Sequence, residues 1–335
     1  MSALRAGIIG LGVGEQHIAG YRAHPRCEVI ALCDFDGARL REVGGRHPGV
    51  SLTQDWTELV ENPDVDVVSV ASYDSAHFEQ VQRALERGKH VFAEKPLCLA
   101  RDEAGELHRT LRARPELHLS SNLPLRVSPR FQVLREMIGA GRFGELFYLE
   151  GDYDYGRLHK LTEGWRGDLS FYSVFLGGAV HLVDLLLWLT GGVVERVSAV
   201  GNRVATAGTK FRFDDFVLAT LEFEGGLVAK VSANFGCVHP HFHGVKVFGT
   251  EATFVNGLDH GTLYTDAVGG PVAHVIDAPY PGVQKGDLIH SFVDWILTGA
   301  APEVSDRDVF ATMAVCLAVE EARQTRQAVA VRGFD

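Results

Sequence analysis

Residues 6–15 read AGIIGLGVGE, a short apolar run that gives way to three glycines at alternate positions, Gly10, Gly12 and Gly14. An unbroken apolar run of this length suits a buried strand, and Glu15 to His24 has helical character, so the passage reads strand, glycine-rich turn, helix. Residues 28–34, EVIALCD, form a second apolar run that stops at Asp34. Beyond it, residues 36–45 and 56–61 read as helices, 65–71 (VDVVSVA) as a Val-rich strand, 76–87 as a helix closed by Gly88, and 90–93 (HVFA) as another strand. Strands and helices alternating at this length specify an α/β domain built on a right-handed, doubly wound parallel sheet.

After a helix at 102–114 and a strand at 118–121 the pattern changes. A helix at 129–140 leads into the alternating stretch 146–155 (LFYLEGDYDY), and residues 193–205, 216–223, 227–235, 244–249 and 252–254 read as further strands joined by turns. That pattern describes an α+β domain with an open, mostly antiparallel sheet. Helical patterns at 287–297 and 306–325 close the chain. A chain of 335 residues exceeds what one core usually organises, so two domains are expected, residues 1–121 and 122–335.

Composition narrows the partners. Lys and Arg total 32 against 43 Asp and Glu, a net charge of −11, and such a field repels nucleic-acid backbones and anionic lipid heads. The five cysteines are scattered, with no spacing that suggests a disulfide framework or a zinc site, and they read as reduced thiols. The glycines interrupt the apolar N-terminal stretch, unlike the apolar core of a signal peptide, and the apolar run at 179–189 carries His181 and Asp184 and is too short for a bilayer. A soluble cytoplasmic protein with neither a nucleic-acid nor a membrane partner is expected.

The glycines and Asp34 point to a dinucleotide. A glycine lets a pyrophosphate approach the backbone, and the helix N-terminus supplies N–H groups and a partial positive charge, so Gly10, Gly12, Val13 and Gly14 are expected to hold the cofactor. Glu15 occupies the third fingerprint position, where its charge is awkward, and Gly14 is expected to take that role in a shorter turn. Asp34 suits both ribose hydroxyls and repels a 2′-phosphate, which favours NAD, while Arg39 and Arg41 leave NADP open. The bland alternative is a tight turn with a capping Asp. Ser72 and Glu94, just beyond strand ends, and His77, at the start of the helix 76–87, are expected to line the same cofactor. Lys95 also sits at a strand end, where its ammonium can polarise a carbonyl or stabilise a developing alkoxide; Pro96 restrains the turn and suits a cis bond. Alone, a Glu-Lys-Pro turn is more often a solvated strand end.

Taken together, the opening glycines with His17, the segment Gly88-Lys-His-Val-Phe-Ala-Glu-Lys-Pro-Leu97, Arg126 with Pro129, Trp165-Arg166, and Gly177-Gly-Ala-Val-His181-Leu-Val-Asp184 resemble the Gfo/Idh/MocA family of NAD(P)-dependent oxidoreductases. The resemblance runs along most of the chain. It implies that Lys95 is catalytic, that His181 is a general acid or base, and that the C-terminal sheet serves oligomer contacts, so a homodimer or homotetramer is expected. Many members place an aspartate four residues before the histidine, whereas this chain has Gly177. Asp184, on one helical face with His181, or a tyrosine such as Tyr153, Tyr155 or Tyr172 then stands in for it, or the proton chemistry differs. Trp165 and Arg166 are placed at the nicotinamide end or the substrate wall, and Asn122, Arg126 and Tyr155 are expected to meet substrate.

His239, His241 and His243 alternate on an extended segment and could line one face, but no carboxylate completes a metal site, and a substrate rim or an oligomer contact needs less special geometry. No metal is expected. The expected reaction interconverts a secondary alcohol and a ketone on a sugar, cyclitol or nucleotide-linked sugar. Two alternatives are a glycosidase-type enzyme that recycles tightly bound NAD and a non-catalytic NAD or sugar sensor, the latter kept open by Gly177.

Overall fold

Six parallel strands in the order β3-β2-β1-β4-β5-β6 make the first sheet of the computed structural model, which describes residues 3–334. In chain order the elements are β1 (Leu4–Ile9), α1 (Gly14–Ala23), β2 (Cys27–Cys33), α2 (Gly37–Arg46), β3 (Ser51–Thr53), α3 (Trp56–Glu61), β4 (Val67–Val70), α4 (His77–Glu86), β5 (His90–Ala93), α5 (Arg101–Arg112) and β6 (Leu119–Ser121). Val67, Val68, Val70, Val91, Phe92 and Ala93 of the interior strands β4 and β5 are all buried, which is why these strands are runs of apolar residues rather than alternations.

The chain continues through α6 (Pro129–Gly139), β7 (Leu146–Asp154), α7 (His159–Thr162), α8 (Val180–Thr190), β8 (Val194–Asn202), β9 (Phe216–Phe223), β10 (Val228–Asn234), β11 (Phe242–Gly249), β12 (Ala252–Asn256), β13 (Gly261–Thr265) and β14 (Val272–Ile276). It ends with α9 (Ile289–Thr298), α10 (Asp306–Thr325) and β15 (Val329–Ala330). A nine-stranded sheet runs β14-β13-β12-β11-β7-β10-β9-β8-β15, antiparallel except for the β7–β10 pair. Its inner face takes the alternate residues of each strand: Leu149, Val231, Leu221 and Val247 are buried, and Gly151 leaves room for Leu182 of α8.

The chain divides into two units: Met1–Val127 with Val283–Met313 and Gly333–Asp335, and Ser128–Gly282 with Ala314–Arg332. The boundary expected after residue 121 therefore falls short, and the C-terminal part is shared rather than contiguous. Burial is the reason. The apolar face of α9 has its place on the first sheet's side, with Phe292 tilted against Phe92 at 5.6 Å, and the Ser120 hydroxyl donates to the Val304 carbonyl. The strands β3, β13, β14 and β15 were not foreseen; β3 and β15 are edge segments of three and two residues, too short to show a period, and β14 is an exposed edge strand whose apolar residues do not alternate with polar ones. All five cysteines are free thiols, and no helix of the described residues is long and apolar enough to cross a membrane.

Candidate active site

The glycine-rich turn after β1 divides its work among three positions. Gly10 has φ +85°, and a Cβ there would press on the Ala71 carbonyl, so only glycine makes this turn without strain. At Gly14 a Cβ would stand 3.0 Å from Ile8 Cγ2 and 3.1 Å from Ala71 Cβ, the close helix-to-sheet packing expected of it. Around Gly12 nothing lies within 4 Å, which leaves backbone open to a diphosphate at the N-terminus of α1. The awkward charge of Glu15 is answered by Arg46, 2.7 Å away.

Asp34 ends β2 buried, its two oxygens accepting from Leu11 N at 2.7 Å and Asp36 N at 2.9 Å. It thus ties the glycine turn to the second strand, and a carboxylate's remaining lone pairs can still accept from ribose hydroxyls. Beside it an aromatic pair went unread in the sequence. Phe35 is 71% exposed and lies 5.8 Å from the ring of Tyr73, tilted 49° to it, an exposed ring face on which a base can stack. The available signal was an aromatic residue directly after a carboxylate that ends a strand.

At the end of β5, Glu94 is the hub of a buried polar network. Its Oε1 accepts from Asn122 Nδ2 at 2.7 Å and faces His17 Nε2 at 3.3 Å, while His17 Nδ1 meets the Ser69 hydroxyl at 2.8 Å. Burial pushes the Glu94 carboxyl up, but Lys285, the His17 contact and Lys95 together outweigh it and hold the group well below the usual carboxylate range. Lys95 follows, half-buried, and its bond to Pro96 is cis. Glu94 was expected to touch cofactor; its partners make it the fixed anion behind Lys95.

Three further expectations need correction. Asn122 was expected at substrate but is fully buried, and its Nδ2 is spent on Glu94 and on the Lys285 carbonyl at 3.0 Å. Arg126, expected beside it, is buried with Nη1 3.2 Å from Asp308 and 3.1 Å from the Glu303 carbonyl. Both corrections have one cause, the segment 283–313 folding back onto the first unit. His77 is also buried, its Nδ1 donating to the Pro96 carbonyl at 2.7 Å, so it braces the turn that carries Lys95 rather than facing a ligand. Ser72 remains half-buried, its hydroxyl on Gln80 at 2.7 Å.

In the second unit His181 lies on α8 just after a π-helical turn, Phe175–Ala179, and is 6% exposed. Its ring stacks at 6.3 Å on Tyr153 and stands perpendicular to His243 at 6.1 Å. Register explains the grouping: Tyr153 on β7 is the cross-strand partner of His243 on β11. The Tyr280 hydroxyl accepts from the His243 backbone N–H at 2.8 Å and meets the ring Nδ1 at 2.7 Å, so it fixes both the backbone and the ring of His243. Tyr280 carried no signal in the sequence. Tyr155 stacks on Phe235 at 4.3 Å, and His241 meets Tyr153 at 5.2 Å. His239 turns away toward Asp154, because the strand begins only at Phe242 and the alternation does not extend back to it.

Around Gly177 the packing is tight. A Cβ there would run into the Tyr172 hydroxyl and stand 3.0 Å from its Cζ, and one at Gly178 would stand 2.6 Å from the Tyr153 ring. Of the residues named as stand-ins for an aspartate, Tyr172 is the one whose hydroxyl fills the room of a side chain at position 177. It accepts from Arg166 Nε at 2.9 Å, and the Arg166 guanidinium lies over Trp165 at 4.5 Å. Asp184 is fully buried on α8, near enough to Cys316 to help push that thiol well up.

Among the described residues, His24, His290 and Asp294 bring ligand-type atoms within 4.8 Å of one another. His24 Nδ1, however, accepts from Arg26 N at 3.1 Å, so Nε2 carries the proton shared with Asp294 at 3.2 Å and offers no lone pair to an ion.

Comparison with known proteins agrees with this architecture. Residues 4–121 match the oxidoreductase family with an NAD-binding Rossmann fold, and residues 131–255 match the GFO/IDH/MocA C-terminal domain. Inositol 2-dehydrogenase 3 of Saccharopolyspora erythraea is 26% identical over 333 residues, 98% of this chain and 95% of that protein. Levoglucosan dehydrogenase of Pseudarthrobacter phenanthrenivorans is 26% identical over 290 residues, 76% of this chain and 74% of that protein. A solved levoglucosan dehydrogenase in complex with NADH and levoglucosan superposes with a TM-score of 0.85 at 22% identity, over 98% of this chain and all of that one. The chain belongs to the Gfo/Idh/MocA family and is an NAD-dependent oxidoreductase.

Proposed function

We propose that this enzyme interconverts a secondary alcohol and a ketone on a sugar, cyclitol or nucleotide-linked sugar, with Lys95 and His181 as its catalytic residues. The observation that carries the reading is the Glu94 hub: a buried carboxylate held ionised by Lys285, His17 and Lys95, immediately before a half-buried lysine at a strand end. Such wiring fits a lysine whose ammonium must stay placed and charged. Gly10, Gly12, Val13, Gly14 and Asp34 would hold NAD, for which the open backbone at Gly12 leaves room. When bound, NAD takes or returns the hydride of the reacting carbon. Lys95 lowers the energy of the alkoxide that forms as the hydroxyl proton leaves, and His181 receives or returns that proton. Tyr153 and His243, packed on His181, restrict its ring.

The experiment is a scan of NADH formation across polyols, aldoses, uronic acids and nucleotide sugars, with Lys95→Ala and His181→Ala alongside. Turnover lost in both variants while NADH still binds supports the assignment; undiminished turnover in either removes that residue from it. Exposed apolar residues on the nine-stranded sheet, Phe147, Val200, Tyr264 and Val275 among them, further support assembly as a dimer or tetramer, which sedimentation would test.

A further inference from the structure

The second unit carries a group of cations that the proton chemistry leaves unused. Arg157, Lys160 and Arg166 follow β7 on one short segment. The Arg157 guanidinium lies over the Tyr155 ring at 5.6 Å, and Arg166 over Tyr172 at 5.5 Å. Their charges reach a common place. Both Arg157 and Arg166 act on the Tyr153 phenol, opposing the upward push of burial, and Lys160 is pushed down by burial, then Arg157, then Arg166.

No acid answers this cluster at Arg157 or Lys160: among the described residues neither meets a carboxylate within ion-pair distance. Three carboxylates nearby in the chain are engaged elsewhere, Asp168 with Lys210 at 2.8 Å, Asp152 with Lys230 at 2.9 Å, and Asp154 turned toward His239 at 3.9 Å, and Glu163, the acid on the segment itself, is exposed and meets neither Arg157 nor Lys160 within ion-pair distance. In a chain of net charge −11, Arg157 acts on Lys160 as a like charge while no acid is in ion-pair contact with either, and a bound anion relieves that repulsion.

The floor beneath them is aromatic. Tyr153, Tyr155 and Phe235 stack on one another, Tyr172 meets Phe235 edge-on, and His241 and His243 stand against Tyr153. The position one turn before His181 cannot contribute a negative charge, because Gly177 has no side chain and the neutral Tyr172 hydroxyl fills its room.

We propose that this enzyme selects an acidic sugar, one bearing a carboxylate or phosphate group, whose oxyanion is held by Arg157, Lys160 and Arg166 while its ring lies on the aromatic floor. The inference rests on the reading of His181 as the proton-handling group, since it names the substrate of that same site.

The test is titration calorimetry on the NADH-loaded protein with matched probes: glucuronate against glucose, gluconate against sorbitol, glucose 6-phosphate against glucose, and inorganic phosphate alone. In at least one pair the acid should bind at least about tenfold tighter than its neutral partner, a difference that salt erodes. The Arg157→Gln/Lys160→Gln variant, changed only at exposed residues, should lose about tenfold in that affinity, and Arg166→Gln should lose more. Neutral partners binding as tightly throughout, an acid affinity untouched by the double substitution, or no acid binding at all would overturn the proposal. Inorganic phosphate binding as tightly as every sugar acid would overturn it too, because the ring would then contribute nothing. NADH formation read in parallel separates the two ideas. An acid that binds but is never oxidised sinks the dehydrogenase reading alone, and oxidation confined to neutral sugars sinks the acidic-sugar inference alone.

Discussion

The two units organise their polar groups in opposite ways. In the first, Asp34, Glu94, His17 and Asn122 are buried and wired to one another or to backbone, each hydrogen bond within 3.4 Å, and the open surface is bare backbone at Gly12. In the second, the surroundings of His181 are largely rings packed on one another, pinned at the periphery by Tyr280 on His243 and Arg166 on Tyr172, and charged groups stand at the edge. A site that must always receive the same cofactor can spend its polar groups internally and present fixed geometry. A floor of rings with a rim of cations leaves recognition to the rim, where few residues decide which substrate is accepted.

That contrast can be broken or sharpened by substitution. The largest effect belongs to Lys95→Ala, which should cut turnover by about a hundredfold or more while NADH affinity holds; turnover within a few-fold of the parent would mean the first unit's wiring serves only structure. Glu94→Gln should cost about 3 kcal/mol of stability, because it removes the anion around which buried partners are arranged. Since the folded-state carboxyl is depressed, its contribution is complete at neutral pH and is lost as pH falls below about 4.3, the unfolded value, and on through the folded one. Denaturant melts of parent and variant should therefore converge in acid, and a gap that stays constant with pH would deny the charge its role.

In the second unit Gly178→Ala should cost about 1–3 kcal/mol, because its Cβ would enter the ring packing of Tyr153 and Phe235. An unchanged thermal midpoint would show that the floor yields. The smallest effect on stability is expected from Gly12→Ala, within about 0.5 kcal/mol, since nothing stands within 4 Å. The same change should nonetheless weaken NADH by about tenfold, so a fluorescence titration matching the parent would place the diphosphate elsewhere.

Legibility in the sequence follows the same division. The glycine turn, Asp34 and the Glu94-Lys95-Pro96 turn could be placed because each is a local pattern whose chemistry depends on neighbours along the chain. Asn122 and Arg126 were misjudged for the opposite reason: their surroundings come from Lys285, Glu303 and Asp308, more than 150 positions away. His181 was singled out through a resemblance, whereas the residues packed on its ring, Tyr153 and His243, meet through the register of β7 and β11.

The sequence by itself therefore determined the alternation of strands and helices, the glycine turn and the lysine at its strand end, because periodicity and backbone freedom act over a few residues. Only the tertiary structure decided that Glu94 is an internal anion, that Tyr172 fills the room at Gly177, and that Arg157 and Arg166 lie over the rings of Tyr155 and Tyr172. Burial and charge balance depend on which distant segments pack together, and that is settled when the core closes.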